Sequence, residues 1–325
     1  MPAPARQQPD QVLVQVQAAG LNRLDLFVIG GLPHTRTAFP HILGSDGAGT
    51  VVEAGPGATR VEPGDRVIIN PGVSCGHCPV CQAGQQPLCR EYGILGEHLP
   101  GTLAEFVVVP ERNLAVIPAS IPWEEAAAFT LATLTAWRML VTRAVLQPGE
   151  TVLIWGAGGG VAQAAIRIAK RLGARVVATS GSDQKLVHAT RIGADLALNH
   201  ATQDVVRIVR DLTGSGVDVV VDTVGEATWT RSLRALRPMG RLVTSGATTG
   251  PQVDLDIRKL FWFQWSILGS TMGSDREFLE IAELFRGGEL RPTVDSVVPL
   301  ADAPAALARL ARSEQTGKLV IEVAP

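Results

Sequence analysis

The stretch Val152-Leu153-Ile154-Trp155-Gly156-Ala157-Gly158-Gly159-Gly160-Val161-Ala162 runs from consecutive apolar residues into a glycine cluster, and then into the helical pattern Gln163–Leu172. A glycine turn between strand and helix lets the backbone approach a pyrophosphate, and the helix N-terminus favours its negative charge. Glycines alone also make a plain tight turn. Here the turn stands inside a full strand–helix–strand unit, Thr151 to Thr179, so a dinucleotide is the expected ligand of Gly156, Gly158, Gly159, Gly160 and Val161. Ala162 replaces a third glycine, at the position that governs helix–strand packing and not phosphate approach.

The end of the next strand bears on which dinucleotide. An NAD site places an Asp or Glu about 20 residues beyond the glycines, on the ribose hydroxyls. This chain offers Thr179-Ser180-Gly181-Ser182, with Lys185 shortly after. A neutral, hydroxyl-lined loop beside a cation accepts a 2′-phosphate. Ser180, Gly181, Ser182 and Lys185 therefore point to NADP(H), with NAD(H) the alternative. A plainer reading has Ser182 capping the following helix and Lys185 solvated.

The same texture continues on both sides. Apolar strands at Val152–Trp155, Arg175–Thr179, Val217–Val221, Arg241–Ser245 and Ser266–Gly269 alternate with helical patterns such as Gly160–Leu172 and Leu186–Ile192. Continuous apolar strands separated by helices predict a parallel sheet covered on both faces. Ligands of such sheets bind beyond the strand C-termini, which nominates Asp222, Gly225, Ser245, Gly246 and Ala247 for the cofactor.

The N-terminal part reads differently. Val12–Gln17, Thr50–Glu53, Arg66–Ile69 and Phe106–Val109 are short β patterns separated by Gly55-Pro56-Gly57, Glu62-Pro63-Gly64-Asp65 and Pro71-Gly72. Short strands with such punctuation predict a small barrel. All four cysteines fall in one loop, Cys75-x-x-Cys78-x-x-Cys81-x7-Cys89. Four thiolates close together suit a closed structural zinc site, which has no open position for chemistry. An iron–sulfur cluster is the rival, and His77 reads as a spacer. From Pro122 to Val141 the chain is Ala-rich and helical, and Phe278 to Val323 gives two amphipathic helices and short strands. The expected division is 1–125, 126–272 and 273–325, the last segment returning to the first domain.

Composition narrows the function classes. With 46% hydrophobic and 18% charged residues, the 325-residue chain buries a sizeable core and fits about two domains. A net charge of −2 offers no basic footprint for nucleic acid. The most apolar late stretch, Leu260 to Leu268, is too short to span a bilayer and includes Gln264. The expectation is a cytoplasmic protein without membrane or nucleic-acid partners.

Gly44-Ser-Asp-Gly-Ala-Gly-Thr-Val-Val-Glu53, Pro63-Gly-Asp-Arg-Val67, the cysteine loop, Leu134-Thr-Ala-Trp137, the glycine turn and Gly317-Lys-Leu-Val320 together carry a resemblance. The chain resembles the medium-chain dehydrogenase/reductase superfamily over nearly its whole length, and within it the zinc-type alcohol dehydrogenase-like and quinone oxidoreductase branches. The resemblance implies an α/β fold, with a GroES-like β-barrel substrate domain and a doubly wound Rossmann domain with a parallel sheet. Family members usually begin with an additional hairpin before the strand matching Val12–Gln17. It is missing here, which reads as a shortened barrel or a truncated start.

The departures from the family pattern shape the expected chemistry. The Cys, His and Cys that hold catalytic zinc in the alcohol dehydrogenases fall at Asn22, Ser45 and Leu131, and the relaying hydroxyl falls at Leu24. The expected reaction is therefore hydride transfer from NADP(H) to a quinone or α,β-unsaturated carbonyl without catalytic zinc, in a cleft between the domains. Asn22 would donate to the acceptor oxygen, Asp46 would orient Asn22, and Asp25 would fix the loop. Gly269, Ser270 and Thr271 would lie near the nicotinamide, with Arg312 and Lys318 as lesser phosphate ligands. The rivals are an alcohol dehydrogenase with non-standard ligands, such as an oxygen-only set from Asn22, Asp25, Ser45 and Asp46, and a non-enzymatic NADPH-binding protein. A homodimer or homotetramer is expected through the strand Ser266–Gly269, which the aromatic run Leu260-Phe-Trp-Phe-Gln-Trp265 precedes.

Overall fold

The computed structural model describes residues 4–32 and 37–324. The chain divides into two units, Met1–Leu134 with Gly273–Pro325, and Thr135–Met272. The first unit begins with β1 (Gln11–Gly20), α1 (Arg23–Gly30), β2 (Asp46–Ala54), β3 (Arg66–Ile69), β4 (Gly72–Val73), α2 (Pro79–Gln82), β5 (Gly93–Ile94), β6 (Phe106–Pro110) and β7 (Leu114–Val116). Helix α3 (Trp123–Trp137) carries the chain across the boundary. The second unit holds β8 (Thr151–Ile154), α4 (Gly160–Arg171), β9 (Arg175–Ser180), α5 (Asp183–Arg191), β10 (Leu196–Asn199) and α6 (Val205–Thr213). It continues with β11 (Val217–Val221), α7 (Glu226–Ala235), β12 (Leu236–Thr244), α8 (Ile257–Trp262) and β13 (Ser266–Gly269). The return segment adds α9 (Asp275–Arg286), β14 (Val294–Pro299), α10 (Ala303–Ala311) and β15 (Lys318–Glu322) to the first unit.

Strand β1 organises the first unit. Val12, Val14 and Val16 are fully buried while Leu13, Gln15 and Gln17 are only partly covered, the period-two pattern of a strand with one core face. The seven-stranded sheet has the order β14-β15-β1-β2-β3-β7, and β6 also pairs with β1. β6 takes Gln11–Gln15 and β15 takes Ala18–Gly20, so β1 changes partner along its length. That switch brings the C-terminal strand to the end of β1, just before Asn22.

The second unit is a six-stranded parallel sheet with the order β10-β9-β8-β11-β12-β13. Its central strands are covered on both faces: Val152, Leu153, Ile154, Val176, Val177, Val219 and Val220 have no exposed surface. The strand order reverses between β8 and β11, the switch point at which doubly wound sheets bind ligands.

Several elements differ from the sequence expectations. The first boundary falls inside α3, between Leu134 and Thr135, and not at 125. Apolar residues and threonines alternate through α3 on both sides of that point, so composition does not mark where one unit gives way to the other. Helices α1, α6 and α7 and strand β10 were not anticipated individually, and β12 starts at Leu236, ahead of Arg241. Among the described residues no helix is long and apolar enough to cross a membrane.

Candidate functional site

The cysteine loop folds into a sulfur cage. Gly76 supplies a positive φ of 80° after Cys75, and Pro79 opens α2, which brings Cys81 back toward Cys75. The Sγ atoms of Cys75 and Cys81 lie 3.9 Å apart, those of Cys78 and Cys89 3.8 Å, and those of Cys89 and Cys75 3.5 Å. A tetrahedron of sulfurs at the usual zinc–thiolate distance of about 2.3 Å has edges of about 3.8 Å. The four free thiols therefore fit a zinc ion without rearrangement. The backbone N–H groups of His77 and Cys78 hold the Cys75 thiol down at about 6, ready as a thiolate, while burial pushes Cys81 up to about 11. His77 turns its Nδ1 to the Cys75 carbonyl at 2.9 Å. With four sulfurs around it the metal has no open position, so the cage ties down the loop and takes no part in chemistry.

A second cluster of the first unit gathers Asn22, Asp25, Ser45, Asp46, Leu131 and Lys318. Asp46 Oδ2 accepts from Asn22 Nδ2 at 3.0 Å and from Lys318 Nζ at 2.8 Å, and Oδ1 accepts the Leu131 N–H at 2.6 Å. The other Asn22 amide hydrogen goes to the Gly20 carbonyl at 3.2 Å, and Lys318 also donates to Asn22 Oδ1. Asp25 accepts the N–H groups of Asn22 at 2.7 Å and Gly44 at 2.9 Å. Burial raises the Asp25 carboxyl above its ordinary range, against those two backbone hydrogen bonds.

This geometry corrects four expectations. Asn22 has both amide hydrogens committed to protein acceptors, so it is not a free donor for a substrate oxygen. Asp25, Asp46 and Asn22 do not form an oxygen-only metal site, because the Lys318 ammonium already occupies their midst; the Ser45 hydroxyl is turned away to the Leu95 carbonyl at 2.7 Å. Lys318 is buried here and is not a phosphate ligand, and Arg312 is exposed and paired with Glu314 at 2.6 Å. Asn22, Ser45 and Leu131 carry an amide, a committed hydroxyl and an alkyl chain, which supply neither thiolate nor imidazole for a zinc ion.

In the second unit the glycine turn has the form of a phosphate cradle. Gly156 adopts a φ of +76°, Gly159 N–H bonds back to the Gly156 carbonyl at 3.0 Å, and α4 starts at Gly160, with Val161 in its first turn. The Ala157 N–H bonds to the Thr179 carbonyl at 2.8 Å, which joins the turn to the end of β9. A Cβ on Gly158 would lie 2.5 Å from Lys185 Cδ, so the lysine stem crosses directly over the turn. Ser180 is buried and its hydroxyl accepts the Ser182 N–H at 3.2 Å; Gly181 is exposed. Ser182 sits at the N-cap of α5 without a capping bond from its side chain. Sequence reasoning missed His200, whose Nδ1 lies 3.2 Å from Thr179 Oγ1 and whose ring lies beside Trp155.

The remaining nominated residues are loop-forming. Asp222 is a correction: its carboxylate is consumed by the Val224 and Gly225 N–H groups and by the hydroxyls of Thr228 and Ser232. It shapes the β11–α7 loop and has no oxygen left for a ligand. Ser245 donates to Met139 Sδ at 3.1 Å, and the Gly246 and Ala247 carbonyls accept from Thr244 Oγ1 and the Gly250 N–H. The Gly269 carbonyl accepts from Arg143, the Ser270 N–H bonds to Thr244, and Thr271 is exposed. The Ser270 hydroxyl is buried without a protein partner among the described residues.

A β-rich unit with a sulfur cage, joined to a doubly wound unit with a phosphate cradle, defines a class: two-domain, nicotinamide-dependent, zinc-binding dehydrogenases. Comparison with known proteins agrees. Residues 8–119 match the alcohol dehydrogenase GroES-like domain, and residues 160–286 match the zinc-binding dehydrogenase family. An NAD-dependent alcohol dehydrogenase of Sulfolobus acidocaldarius is 31% identical over 96% of this chain and 92% of its own length. A crystal structure of an NAD-dependent alcohol dehydrogenase superposes with a TM-score of 0.95 at 44% identity, covering 100% of this chain and 94% of that one. A cobalt- and zinc-bound thermostable alcohol dehydrogenase from Pyrobaculum aerophilum gives a TM-score of 0.88 at 37% identity, over 98% and 93% of the two chains. The chain belongs to the zinc-type alcohol dehydrogenase family of the medium-chain dehydrogenase/reductase superfamily. The expectation of a quinone or enone reductase working without zinc is thereby overturned: its relatives are named alcohol dehydrogenases, and its cysteines assemble a site for zinc.

Proposed function

We propose that this protein is a nicotinamide-dependent alcohol dehydrogenase. It moves a hydride from the carbinol carbon of an alcohol to the oxidised cofactor and releases the hydroxyl proton, leaving the carbonyl compound. In reverse it reduces the carbonyl. The observation that carries this reading is the nearly full-length match to proteins named alcohol dehydrogenases. The cofactor supplies the hydride acceptor, and the protein supplies binding, orientation and electrostatics. Gly156, Gly158 and Gly159 let the backbone approach the pyrophosphate, the N-terminus of α4 favours its charge, and Lys185 adds an ammonium over the turn. Cys75, Cys78, Cys81 and Cys89 hold one structural zinc.

NADP(H) is the proposed cofactor, although the Sulfolobus relative is named NAD-dependent. The support is chemical: no carboxylate stands within Thr179–Ser182, and Asp183 is engaged by the Asn199 amide at 2.7 Å. A homodimer or homotetramer is proposed through β13, the edge strand of its sheet, near which Ile257, Phe261 and Trp262 are each more than 60% exposed. A reducing, cytoplasmic setting suits four thiols kept for metal.

The test crosses NAD+ and NADP+ with primary and secondary alcohols, and NADH and NADPH with the matching carbonyls. Turnover of an alcohol–carbonyl pair, faster with the phosphorylated cofactor, is expected. A protein that binds cofactor but turns over none of them overturns the alcohol dehydrogenase reading.

A further inference from the structure

Lys318 is a buried charge for which the reading above has no use. Its side chain is only 5% exposed, and Asp46 beside it has no exposed surface. Taking an ammonium and a carboxylate out of water is tolerated only where they are paired and their remaining hydrogen-bonding capacity is met. That condition holds here. Lys318 Nζ donates to Asp46 Oδ2 at 2.8 Å and to Asn22 Oδ1. Both Asp46 oxygens and both Asn22 amide hydrogens are matched within the cluster, and Asp25 behind them takes two backbone N–H groups.

The arrangement has a second meaning. Asn22 touches the ammonium directly, and Leu131 is linked to it through its N–H on Asp46, while the Ser45 hydroxyl turns away to the Leu95 carbonyl. Of the three positions at which the resemblance places the ligands of a second zinc, Asn22 thus meets the lysine nitrogen itself and Leu131 is tied to its carboxylate partner. The donors around that nitrogen are oxygens, which suit hard cations such as Mg2+ or Mn2+.

We propose that Lys318 is the resident cation of this pocket, a positioning residue that fixes the Asn22 amide and the Asp46 carboxylate and holds the place of a divalent ion. While Lys318 is present the pocket takes no metal. Once it is removed, Asp46 and Asn22 become donors for one.

The experiment uses the full-length, zinc-loaded protein, Mn2+ as the probe followed by electron paramagnetic resonance, and thermal melting. The wild type should bind no Mn2+ at micromolar concentration and carry zinc only at the cysteine cage. Lys318→Ala should melt roughly 5–10 °C lower, take up Mn2+ stoichiometrically and regain part of the lost stability with it. Lys318→Arg, which keeps the charge, should not respond to Mn2+. The double variant Lys318→Met with Asp46→Asn, in which the charged pair is neutral, should melt above Lys318→Ala and ignore Mn2+. A tightly held second metal in the wild type that is lost on Asn22→Ala overturns the proposal, as does a Lys318→Ala variant that binds no Mn2+. If Lys318→Ala does not fold, the double variant decides: a cooperative melt supports the proposal, and its absence refutes it. These readouts do not depend on the alcohol, so their failure is distinct from failure of the dehydrogenase reading.

Discussion

The cysteine cage and the Lys318 pocket belong to the same unit, yet they are assembled in opposite ways. The cage draws all its ligands from one loop, Cys75 to Cys89. The pocket draws on the end of β1, the start of α1 and β2, the middle of α3 and the first residue of β15. In the cage, identical chemical groups recur at short spacing and do nothing without a metal. In the pocket, unlike groups from distant segments satisfy one another. Local repetition makes a site that waits for an ion, whereas long-range convergence makes one that is complete when the chain folds.

The strongest test of this contrast is to break the cage. Cys89→Ser should lose zinc and loosen residues 75–91, because structural zinc contributes on the order of 10 kcal/mol to the small domains that depend on it. Zinc content and limited proteolysis check this, and a variant that keeps full zinc and a protected loop contradicts it. Next comes the pocket. Asp46→Ala strands the Lys318 ammonium and should lower stability by about 3–5 kcal/mol without loss of zinc, as measured by denaturant melts with metal analysis. If that variant also loses its zinc, the two sites are not independent.

Smaller effects sharpen the picture. Ser180→Asp at the end of β9 should shift preference from NADP+ toward NAD+ by roughly 10–100-fold, about 1.4–2.7 kcal/mol, since a carboxylate repels a 2′-phosphate and accepts from a ribose diol. Ratios of kcat/KM for the two cofactors measure it, and an unmoved ratio removes Ser180 from the determinants. Asp25→Asn should cost only about 1–2 kcal/mol at neutral pH, because one of its two backbone N–H partners loses its acceptor. The cost should shrink as pH rises. Burial raises the folded-state pKa of Asp25, so the stability linked to this group is present below its unfolded pKa and is lost as pH climbs through the folded one. Melts of both proteins from pH 4 to pH 8 check the trend, and a cost that grows with pH contradicts it.

Much of the fold was legible because it rests on local rules. The glycine turn declared itself by spacing, and β8, β9 and β11 by runs of apolar residues covered on both faces. Helix α6 was not read from the sequence, although its core face Val205-Val206-x-x-Val209 follows the cap Asp204, which accepts the Arg207 N–H at 3.1 Å. Asn22 and Asp25 drew attention as chemistry, but Asp25 closes the first turn of α1 by taking the Asn22 N–H. Polar residues at a helix start serve capping as readily as catalysis, and the sequence alone does not separate the two.

By itself the sequence determined the two architectures, the four-thiolate cage and the neutral loop after β9, because each depends on residues within one or two turns of chain. Only the tertiary structure decided the fate of Lys318, 272 positions beyond Asp46. Strand β15 returns to β1 with Gly20 opposite Val320, and this pairing, set by hydrogen bonds between distant strands, delivers the lysine to its partners. Whether a buried charge is a ligand, a counter-ion or a burden depends on what meets it, and that is fixed by the register of strands far apart in the chain.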